Sequence, residues 1–435
     1  MPTRFDPAGP LRGSLRPPAD KSISHRTALI AAMGEGETTI AGYLDSADTR
    51  STLAAVAACG AEVEGVGPDG IAPEVKVRGV GLRGAKAASI DVGNAGTLLR
   101  LLPGWLAGQP QGRWTLDGDD SIRRRPVDRV AEPLGLMGAR LSCRDGRLPP
   151  LEVEAVPLRG IEYELPVASA QVKSCLLFAG LLAEGPTWVG ERLRSRDHTE
   201  RMLAAAGAHV TWLRGGVEVR PAKEVELGEM AVPADFSSAA FFLVGALLVP
   251  GSEVVLEEVG VNPTRTGLLR VLERMGAEIE VEPLPGARGG EPLATLRVRA
   301  APLSGTDVGG GEIPLTIDEL PLVALAACFA EGETTICDAA ELRRKESDRV
   351  ATTCEALAAL GASIEATEDG MVVEGDDGLR GGLIESHGDH RIAMLGAIAG
   401  LASREGVTVE GMDAAAVSYP RFEADLASLS GGSRP

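Results

Sequence analysis

The peptide EGETTI occurs twice in this chain, at residues 35–40 and at residues 331–336. Alignment of the residues around the two copies reveals a repeat that recurs about every 70 residues. Each repeat opens with a short polar motif, then has an Ala/Leu-rich helix, a Gly turn, a β-branched strand, a more amphipathic helix and a Gly-Ala step into another strand. The repeat therefore predicts an α/β fold assembled from similar parts.

Six polar motifs open the repeats. They are DKSISHR from Asp20, GNAGTLLR from Gly93, ASAQVKS from Ala168, ADFSSAA from Ala234, IDELPLV from Ile317 and GDHRIAM from Gly388. A chain of 435 residues is too long for one ordinary core and suits two domains of about 200 residues each. Six openings give three repeats to each domain, with a boundary near residues 230–235.

The first helix of each repeat is apolar almost all round, as at residues 175–183 and 322–330. Such a helix is expected inside a domain, so only its ends can meet a ligand. The polar motif stands at its N-terminus, where free backbone N–H groups and the helix dipole favour anions. Six such termini gathered at one place would form a cleft that attracts anions. Residues 307–311, which are Gly-rich, are expected to form a surface loop.

The net charge of −19 argues against nucleic acid as a partner, because binding to its backbone relies on a broadly basic face. Basic residues nevertheless form runs at 123–125 and 343–345, which favour pockets for small anionic ligands. Apolar stretches such as 239–250 reach only about a dozen residues, short of the roughly 20 that a membrane span needs. No membrane association is expected.

Six cysteines lie far apart, without a CxxC pair, and no targeting segment opens the chain. These features predict a cytoplasmic protein. HExxH, a clustered His/Cys/carboxylate set, a Walker-type GxxxxGK[ST] and a nucleophile elbow are all missing from the sequence. We therefore expect neither a metal nor a cofactor, and chemistry that depends on positioning and electrostatics.

Candidate ligands stand in the first two repeats. Lys21, Ser22 and Arg26 could hold an anion from three sides, although a capped helix with solvated charges would give the same pattern. Gly96 costs about 1 kcal/mol relative to Ala inside a helix, and close approach of a ligand would explain its presence. Among the three arginines at 123–125, Arg125 is the expected ligand because the following proline fixes it.

The third repeat offers hydroxyl, amide and guanidinium donors. Ser169 and Gln171 open its first helix, and Arg196 is the natural phosphate ligand downstream. His198 could act as a base, although a lone histidine is more often hydrogen-bonded in a structural role.

The fifth repeat supplies two carboxylates in a basic neighbourhood. Asp318 and Glu346, the latter next to Lys345, would stay ionised between cations and could exchange protons with a substrate. Helix capping and surface ion pairing are the alternative for both.

Six of these motifs, DKSISHR, NAGT, RRRP, SAQVKS, RKESDR and GDHRIAM, occur in an order and spacing that resemble the 5-enolpyruvylshikimate-3-phosphate (EPSP) synthases from about residue 11 to residue 426. The resemblance implies an α/β, two-domain inside-out barrel, the enolpyruvyl transferase fold, with three βαβαββ-type repeats and buried parallel helices in each domain. One domain would span residues 18–235, and the other would join 1–17 to 236–435. The active site would lie in the cleft between them.

That family joins phosphoenolpyruvate to shikimate 3-phosphate through a tetrahedral intermediate, releasing phosphate and using no cofactor. Carried over by position, the resemblance implies that shikimate 3-phosphate is bound by Lys21, Ser22, Arg26, Ser169, Gln171, Ser195, Arg196, Asp318 and Lys345. Phosphoenolpyruvate would be bound by Lys21, Gly96, Arg125, Gln171, Arg349 and Arg391. Lys21, Asp318 and Glu346 would be catalytic and pass protons. The chain is expected to act as a monomer.

The match has departures and alternatives. Ala170 replaces the second serine of a frequent Ser-Ser-Gln motif, and Val417 stands where many members carry a lysine that reaches phosphoenolpyruvate. One alternative is the sister transferase that acts on UDP-N-acetylglucosamine, which opens with Lys-Asn and has a reactive cysteine in the loop at 109–125. This chain has neither feature. The other alternative is a non-catalytic anion-binding repeat protein.

Overall fold

The computed structural model describes residues 2–67, 70–285, 288–375 and 378–431. The chain divides into two compact units. The N-domain comprises Ala19–Pro233 and Gly286–Glu291, and the C-domain comprises Met1–Pro18, Ala234–Pro285 and Pro292–Pro435. The predicted bounds, 18–235, differ from this division chiefly in Gly286–Glu291, a segment that the prediction assigns to the C-terminal domain.

The secondary structure alternates between helices and strands. Strands up to the end of the third repeat are β1 (Thr3–Phe5), β2 (Arg12–Leu15), β3 (Glu37–Ala41), β4 (Glu62–Gly67), β5 (Gly70–Arg78), β6 (Ser89–Asp91), β7 (Arg113–Asp117), β8 (Arg140–Arg144), β9 (Leu148–Glu154), β10 (Glu162–Glu164), β11 (Thr187–Gly190), β12 (Val210–Leu213), β13 (Gly216–Val219) and β14 (Glu229–Ala231). Later strands are β15 (Glu253–Gly260), β16 (Ile279–Leu284), β17 (Leu293–Arg299), β18 (Leu303–Ser304), β19 (Asp307–Val308), β20 (Ala330–Ile336), β21 (Ser363–Ala366), β22 (Met371–Gly375), β23 (Gly382–Glu385) and β24 (Val407–Glu410).

Each repeat has two helices, and the fifth has the short α9 in addition. They are α1 (Lys21–Met33), α2 (Ala47–Ala58), α3 (Gly96–Ala107), α4 (Asp128–Leu136), α5 (Ala170–Leu182), α6 (His198–Ala205), α7 (Phe236–Leu248), α8 (Gly267–Arg274), α9 (Ile313–Thr316), α10 (Leu320–Ala327), α11 (Arg349–Ala359), α12 (His390–Ala402) and α13 (Phe422–Leu429). Short 3₁₀ turns lie at Ile122–Arg124, Arg288–Gly290, Gly310–Glu312, Ala340–Arg344 and Met412–Val417.

Three sheets of the N-domain share one topology. Their strand orders are β14-β3-β5-β4, β6-β7-β9-β8 and β10-β11-β13-β12. In each sheet the first two strands are parallel and the other pairs antiparallel. In the first repeat the leading strand is β14, which returns from the end of the domain and places Met230 opposite Ile40.

The C-domain takes two of its strands from the beginning of the chain. Its sheets have the orders β2-β15-β17-β16, β18-β20-β22-β21 and β1-β24-β23, with β19 also paired to β20. Strand β2 runs parallel to β15 and leads the fourth repeat, whereas β1 runs antiparallel to β24. The buried side chain of Leu11 adds to the C-domain core.

The first helix of each repeat is buried, as its apolar sequence predicts. In α7 every residue is buried, and α1, α3, α5, α10 and α12 are buried over most of their length. Helices α3 and α5 pack so closely that a Cβ at Gly104 would lie 2.1 Å from the Cys175 carbonyl oxygen. The mixed α/β class is confirmed. Nowhere in the described ranges does a helix combine the length and apolar character needed to cross a membrane.

Two local predictions are wrong. The helix expected over 322–330 ends at Ala327, because Ala330 already begins β20, which pairs with β22 about forty residues later in the chain. Residues 307–311 are not a plain loop. Asp307 and Val308 form β19, and the Val308 carbonyl accepts a hydrogen bond from Cys337 N at 3.0 Å.

Candidate functional site

Helix α1 begins at the first polar motif, with Asp20 as its N-cap. Lys21 Nζ donates a hydrogen bond to Asp48 Oδ2 of α2 at 3.1 Å. Their side chains are 24% and 9% exposed, so the ammonium group stays within reach of a ligand while the carboxylate is largely covered. Sequence reasoning did not single out Asp48.

Arg26 lies one turn further along α1 and is only 3% exposed. Its guanidinium donates to Thr199 Oγ1 at 2.8 Å, to the Ser22 carbonyl at 3.0 Å and to Ser174 Oγ at 3.0 Å. Burial lowers the pKa of Arg26 to about 10, so it remains charged at neutral pH. Arg26 therefore joins α1 to α5 and α6 as a buried cation held by neutral oxygen atoms.

Arg125 lies beside the second polar motif, where α3 begins at Gly96. Its Nη2 donates to Asn94 Oδ1 at 3.0 Å and to Ser121 Oγ at 3.3 Å. A Cβ at Gly96 would lie 2.7 Å from Arg125 Nη1. The missing side chain at Gly96 thus leaves room for the guanidinium at the start of α3.

The two preceding arginines have different surroundings. Arg123 donates to Asp117 Oδ2 at 2.8 Å, and this pairing lowers the pKa of the Asp117 carboxyl. Arg124 is exposed. The contacts therefore distinguish Arg125, which meets neutral groups at a helix start, from its neighbours.

Gln171 links the second and third motifs. Its Oε1 accepts from Arg100 Nη1 at 2.9 Å, and its Nε2 donates to Thr97 Oγ1 at 3.1 Å. Ser169 is the N-cap of α5, and its Oγ accepts from Val172 N at 3.4 Å. The structure thus brings Gln171 to the start of α3, where it contacts Thr97, the residue after Gly96, and it gives Ser169 a capping role.

Ser195 is held by a buried charge network. Its backbone N–H and its Oγ donate to Glu191 Oε2, at 3.1 and 2.6 Å. Glu191 Oε1 accepts from Lys173 Nζ at 2.8 Å, and Lys173 also pairs with Glu200 at 2.8 Å. Burial lowers the pKa of Lys173, but Glu200 and Glu191 outweigh it and raise that pKa above its usual value. Lys173 is thus part of the framework that fixes Ser195.

Arg196 and His198 follow at the start of α6. Arg196 is half-buried. His198 Nδ1 lies 2.8 Å from Glu291 Oε1, with both side chains at most 2% exposed. This pairing favours the structural alternative for His198. Within the ranges that the structure describes, no group of three or more His, Cys, Asp or Glu side chains could hold a metal ion.

In the C-domain, Asp318 lies in the turn between α9 and α10, immediately before the N-cap of α10. Its side chain is 11% exposed and is surrounded by cations. These are Lys345 Nζ at 3.2 Å and Arg349 Nη1 at 3.3 Å from Oδ1, and Arg265 Nη1 at 3.7 Å and Arg391 Nη2 at 3.8 Å from Oδ2. A carboxylate in such surroundings is stabilised in its ionised form.

Arg349 is buried among carboxylates. It donates to Glu346 Oε2 at 2.7 Å and to Asp389 Oδ2 at 2.8 Å. Burial lowers the pKa of Arg349, but Glu346, Asp389 and Asp318 together raise it above its usual value. Glu346 is 37% exposed and Arg349 only 1%, so of this pair the carboxylate is the group that solvent can reach.

Arg391 occupies the second position of α12. Its Nη1 donates to the Asp318 carbonyl at 3.1 Å, and its Nη2 donates to Ser237 Oγ of α7 at 3.1 Å. Arg391 is 12% exposed. Asp318, Lys345, Glu346, Arg349 and Arg391 thus form one connected cluster at the starts of α10, α11 and α12.

Sequence reasoning missed Arg265, which precedes α8 and is 3% exposed. Comparison of the second helices would have found it. Arg125 precedes α4 by three residues, Arg196 and Arg265 precede α6 and α8 by two, and Arg349 is the first residue of α11. An arginine at or just before the second helix of four repeats is a pattern that becomes visible only when the repeats are aligned, and it would have added Arg265 to the candidates.

A family model described as EPSP synthase (3-phosphoshikimate 1-carboxyvinyltransferase) matches residues 5–426. A 3-phosphoshikimate 1-carboxyvinyltransferase from Desulforudis audaxviator is 48% identical, with 99% of each chain covered. One from Gloeobacter violaceus is 51% identical over 97% of this chain and 98% of its own. A solved EPSP synthase structure from Acinetobacter baumannii has a TM-score of 0.87 and 41% identity, covering 98% of this chain and 97% of that one.

Proposed function

The chain belongs to the EPSP synthase family, and from that premise we propose that it transfers the enolpyruvyl group of phosphoenolpyruvate to the 5-hydroxyl of shikimate 3-phosphate. The hydroxyl gives up its proton to a base as its oxygen adds to C2 of phosphoenolpyruvate, and C3 takes up a proton, which gives a tetrahedral intermediate. Phosphate then leaves C2 and C3 loses a proton. This reaction belongs to the shikimate pathway of aromatic amino-acid biosynthesis.

One observation carries the proposal in this chain. Arg26 and Arg125 are covered or half-covered cations, and their hydrogen bonds within the described residues go to hydroxyl, amide and carbonyl oxygens. In a chain with a net charge of −19, guanidinium groups held by neutral partners keep their charge for a ligand. A phosphate or carboxylate of a small substrate is the ligand that such groups favour.

The C-domain cluster supplies groups for proton transfer. Glu346 is reachable by solvent and is held by Arg349, while Asp318 is held by Lys345 and Arg349. We assign Glu346 and Asp318, with Lys21, to the proton transfers, as the resemblance implies. Glu346→Gln is expected to lower kcat far more than it weakens substrate binding, because the amide keeps the shape but cannot carry the proton.

The test is phosphate release from phosphoenolpyruvate, measured with and without shikimate 3-phosphate. Release that requires both substrates supports the proposed reaction, and its absence contradicts it. Arg125→Ala should raise the KM for phosphoenolpyruvate by about a hundredfold, since loss of a charged hydrogen-bond partner costs a few kcal/mol. Arg124→Ala is the matched control and should change KM less than about twofold. Equal effects of the two variants would show that Arg125 is not the ligand.

We further propose the barrel architecture, the single active site and the monomeric state that the resemblance implies. Three repeats per domain, with α1, α3, α5, α7, α10 and α12 buried, support the inside-out barrel. The N-domain groups around Arg125 and the C-domain cluster would serve one active site, in a monomer. If so, Arg125→Ala and Arg391→Ala should both raise the KM for phosphoenolpyruvate.

The cytoplasm is the proposed location, and it rests on the cysteines. All six are unpaired, and four of them are buried: Cys59, Cys175, Cys328 and Cys354. Such thiols suit a reducing compartment. The comparisons support neither the sister transferase nor a non-catalytic binding protein, because both relatives are named 3-phosphoshikimate 1-carboxyvinyltransferase.

A further inference from the structure

Ser237, in the first turn of α7, lies where two arginines and a glutamate meet. Its Oγ accepts from Arg265 Nη2 at 2.6 Å and from Arg391 Nη2 at 3.1 Å. The same hydroxyl donates to Glu319 Oε1. A serine hydroxyl has one hydrogen to donate and two lone pairs to accept with. The Ser237 hydroxyl therefore donates its one hydrogen bond and accepts two, which is all that it can make.

This hydroxyl and its partners are almost completely shielded from solvent. Ser237 and Arg265 are each 3% exposed and Glu319 is 0% exposed. Asp235, the N-cap of α7, accepts from Arg265 Nη2 at 2.9 Å and from Ser237 N at 2.7 Å, which fixes both groups. Low exposure strengthens these charged hydrogen bonds, because no water competes for them.

Ser237 also bridges charges of opposite sign. Glu319 Oε1 lies 3.5 Å from Arg265 Nη1 and 3.7 Å from Arg391 Nη1. Both distances are longer than a direct guanidinium–carboxylate hydrogen bond of roughly 2.8 Å. The hydroxyl therefore links the Arg391 guanidinium to Glu319 through two hydrogen bonds.

We propose that Ser237, with Glu319 as its acceptor, is a positioning residue that holds Arg391 in the geometry that binds phosphoenolpyruvate. The inference rests on the proposed function, which assigns Arg391 to that substrate. Ser237 acts through Arg391 and does not touch the reacting atoms. Because Arg391 Nη1 also donates to the Asp318 carbonyl, Ser237 and Asp318 together fix two of its nitrogen atoms.

Ser237→Ala is the test, and Ser238→Ala is its matched control. Ser238 is the next residue of α7 and is equally buried, at 3% exposure. Ser237→Ala should raise the KM for phosphoenolpyruvate by about tenfold and change the KM for shikimate 3-phosphate by less than about twofold. Ser238→Ala should leave both constants within about twofold. Ser237→Thr keeps the hydroxyl and should restore most of the affinity, with circular dichroism as the check on folding.

Arg391→Ala distinguishes the role of Arg391 in binding phosphoenolpyruvate from the role of Ser237 in positioning Arg391. It should raise the KM for phosphoenolpyruvate, and addition of Ser237→Ala to it should change KM by less than about twofold more, because the serine acts through the arginine. Additive effects, or a Ser237→Ala variant that matches Ser238→Ala, would overturn the positioning role while leaving the proposed reaction intact. A wild-type protein that releases no phosphate from the two substrates would instead refute the proposed reaction itself.

Discussion

A methyl group at position 96 would lie 2.7 Å from Arg125 Nη1, closer than real Cβ contacts allow. Because that atom is the end of a flexible side chain, Gly96→Ala should fold and move the guanidinium slightly. Glyphosate, which competes with phosphoenolpyruvate in the family that this chain resembles, is the longer of the two molecules. We predict that glyphosate inhibits the wild type, and that Gly96→Ala raises its inhibition constant by about tenfold or more, or about 1.4 kcal/mol.

Competition kinetics against phosphoenolpyruvate measure this effect. The control is Gly135→Ala, on an exposed turn of α4 where an added Cβ would have no other atom within 4 Å. A wild-type inhibition constant in the millimolar range would contradict the steric argument. The cationic groups would then set the tolerance, and Val417, where the resemblance implies a lysine in many members, would be the first position to examine.

His25 is buried in α1, where its Nδ1 lies 2.6 Å from Thr52 Oγ1. Burial lowers its pKa from 6.5 to about 3. The unfolded chain takes up a proton near pH 6.5 and the folded chain does not, so the stability from neutral His25 is complete above that pH. It declines as the pH falls from 6.5 toward 3.

We therefore predict that the wild type loses about 1.4 kcal/mol more unfolding free energy than His25→Asn between pH 7.5 and pH 5.5. Urea unfolding followed by tryptophan fluorescence tests this, because the tryptophans report only the N-domain that contains His25. They are Trp105, Trp114, Trp188 and Trp212. Equal losses for the two proteins would show that His25 is protonated in the folded state.

At the residue scale, the sequence favours those candidate groups that are fixed by their neighbours in the chain. Arg125 could be chosen over Arg123 because a proline follows it, and its contacts with Asn94 and Ser121 agree with that choice. Ser237 could not be chosen. Its contacts with Glu319 and Arg391 join α7 to residues about 80 and 150 positions away in the chain, and Ser237 alone has the pattern of an ordinary first helical turn.

Among the elements, helices α3 and α5 pack against each other with little room between their backbones. Gly104→Ala would place a methyl group 2.1 Å from the Cys175 carbonyl oxygen, and a backbone atom cannot move aside as a side chain can. We predict a loss of about 2 kcal/mol or more in N-domain stability. Gly135→Ala, also inside a helix, should be neutral or stabilising by up to about 1 kcal/mol.

Tryptophan-monitored urea unfolding measures both glycine variants. If Gly104→Ala proved as stable as Gly135→Ala, the two helices would be farther apart than the structure has them. The sequence predicted these buried helices from their uniform apolar character but not their ends. The end of α10 is set by the pairing of β20 with β22, a contact between distant parts of the chain that local composition does not encode.

For the whole molecule, the first residues complete a domain built mainly from the other half of the chain. Deletion of residues 2–17 removes β1 and β2, exposes the edges of β24 and β15, and removes Leu11 from the core. We predict that the C-domain then unfolds at lower urea concentration, seen by circular dichroism, while the tryptophan transition of the N-domain keeps its midpoint.

A synthetic peptide of residues 2–17 serves as the control, and its addition should move the circular dichroism transition back toward that of the full chain. If both signals shifted together after the deletion, the segment would stabilise more than the C-domain. The repeats indicated two domains, and the resemblance, not the periodicity, implied that the N-terminal segment crosses to the second of them.

The pairing of β1 with β24 also concerns the order of synthesis. A ribosome adds about 5 to 20 residues per second, so about 20 to 80 s separate the synthesis of β1 from that of its partner. When the N-domain is complete in sequence at Glu291, strand β2 already has its partner β15, whereas β1 still lacks β24. Strands β1 and β2 are short and each carries an arginine, Arg4 and Arg12, which are features that limit wrong pairing with other nascent chains.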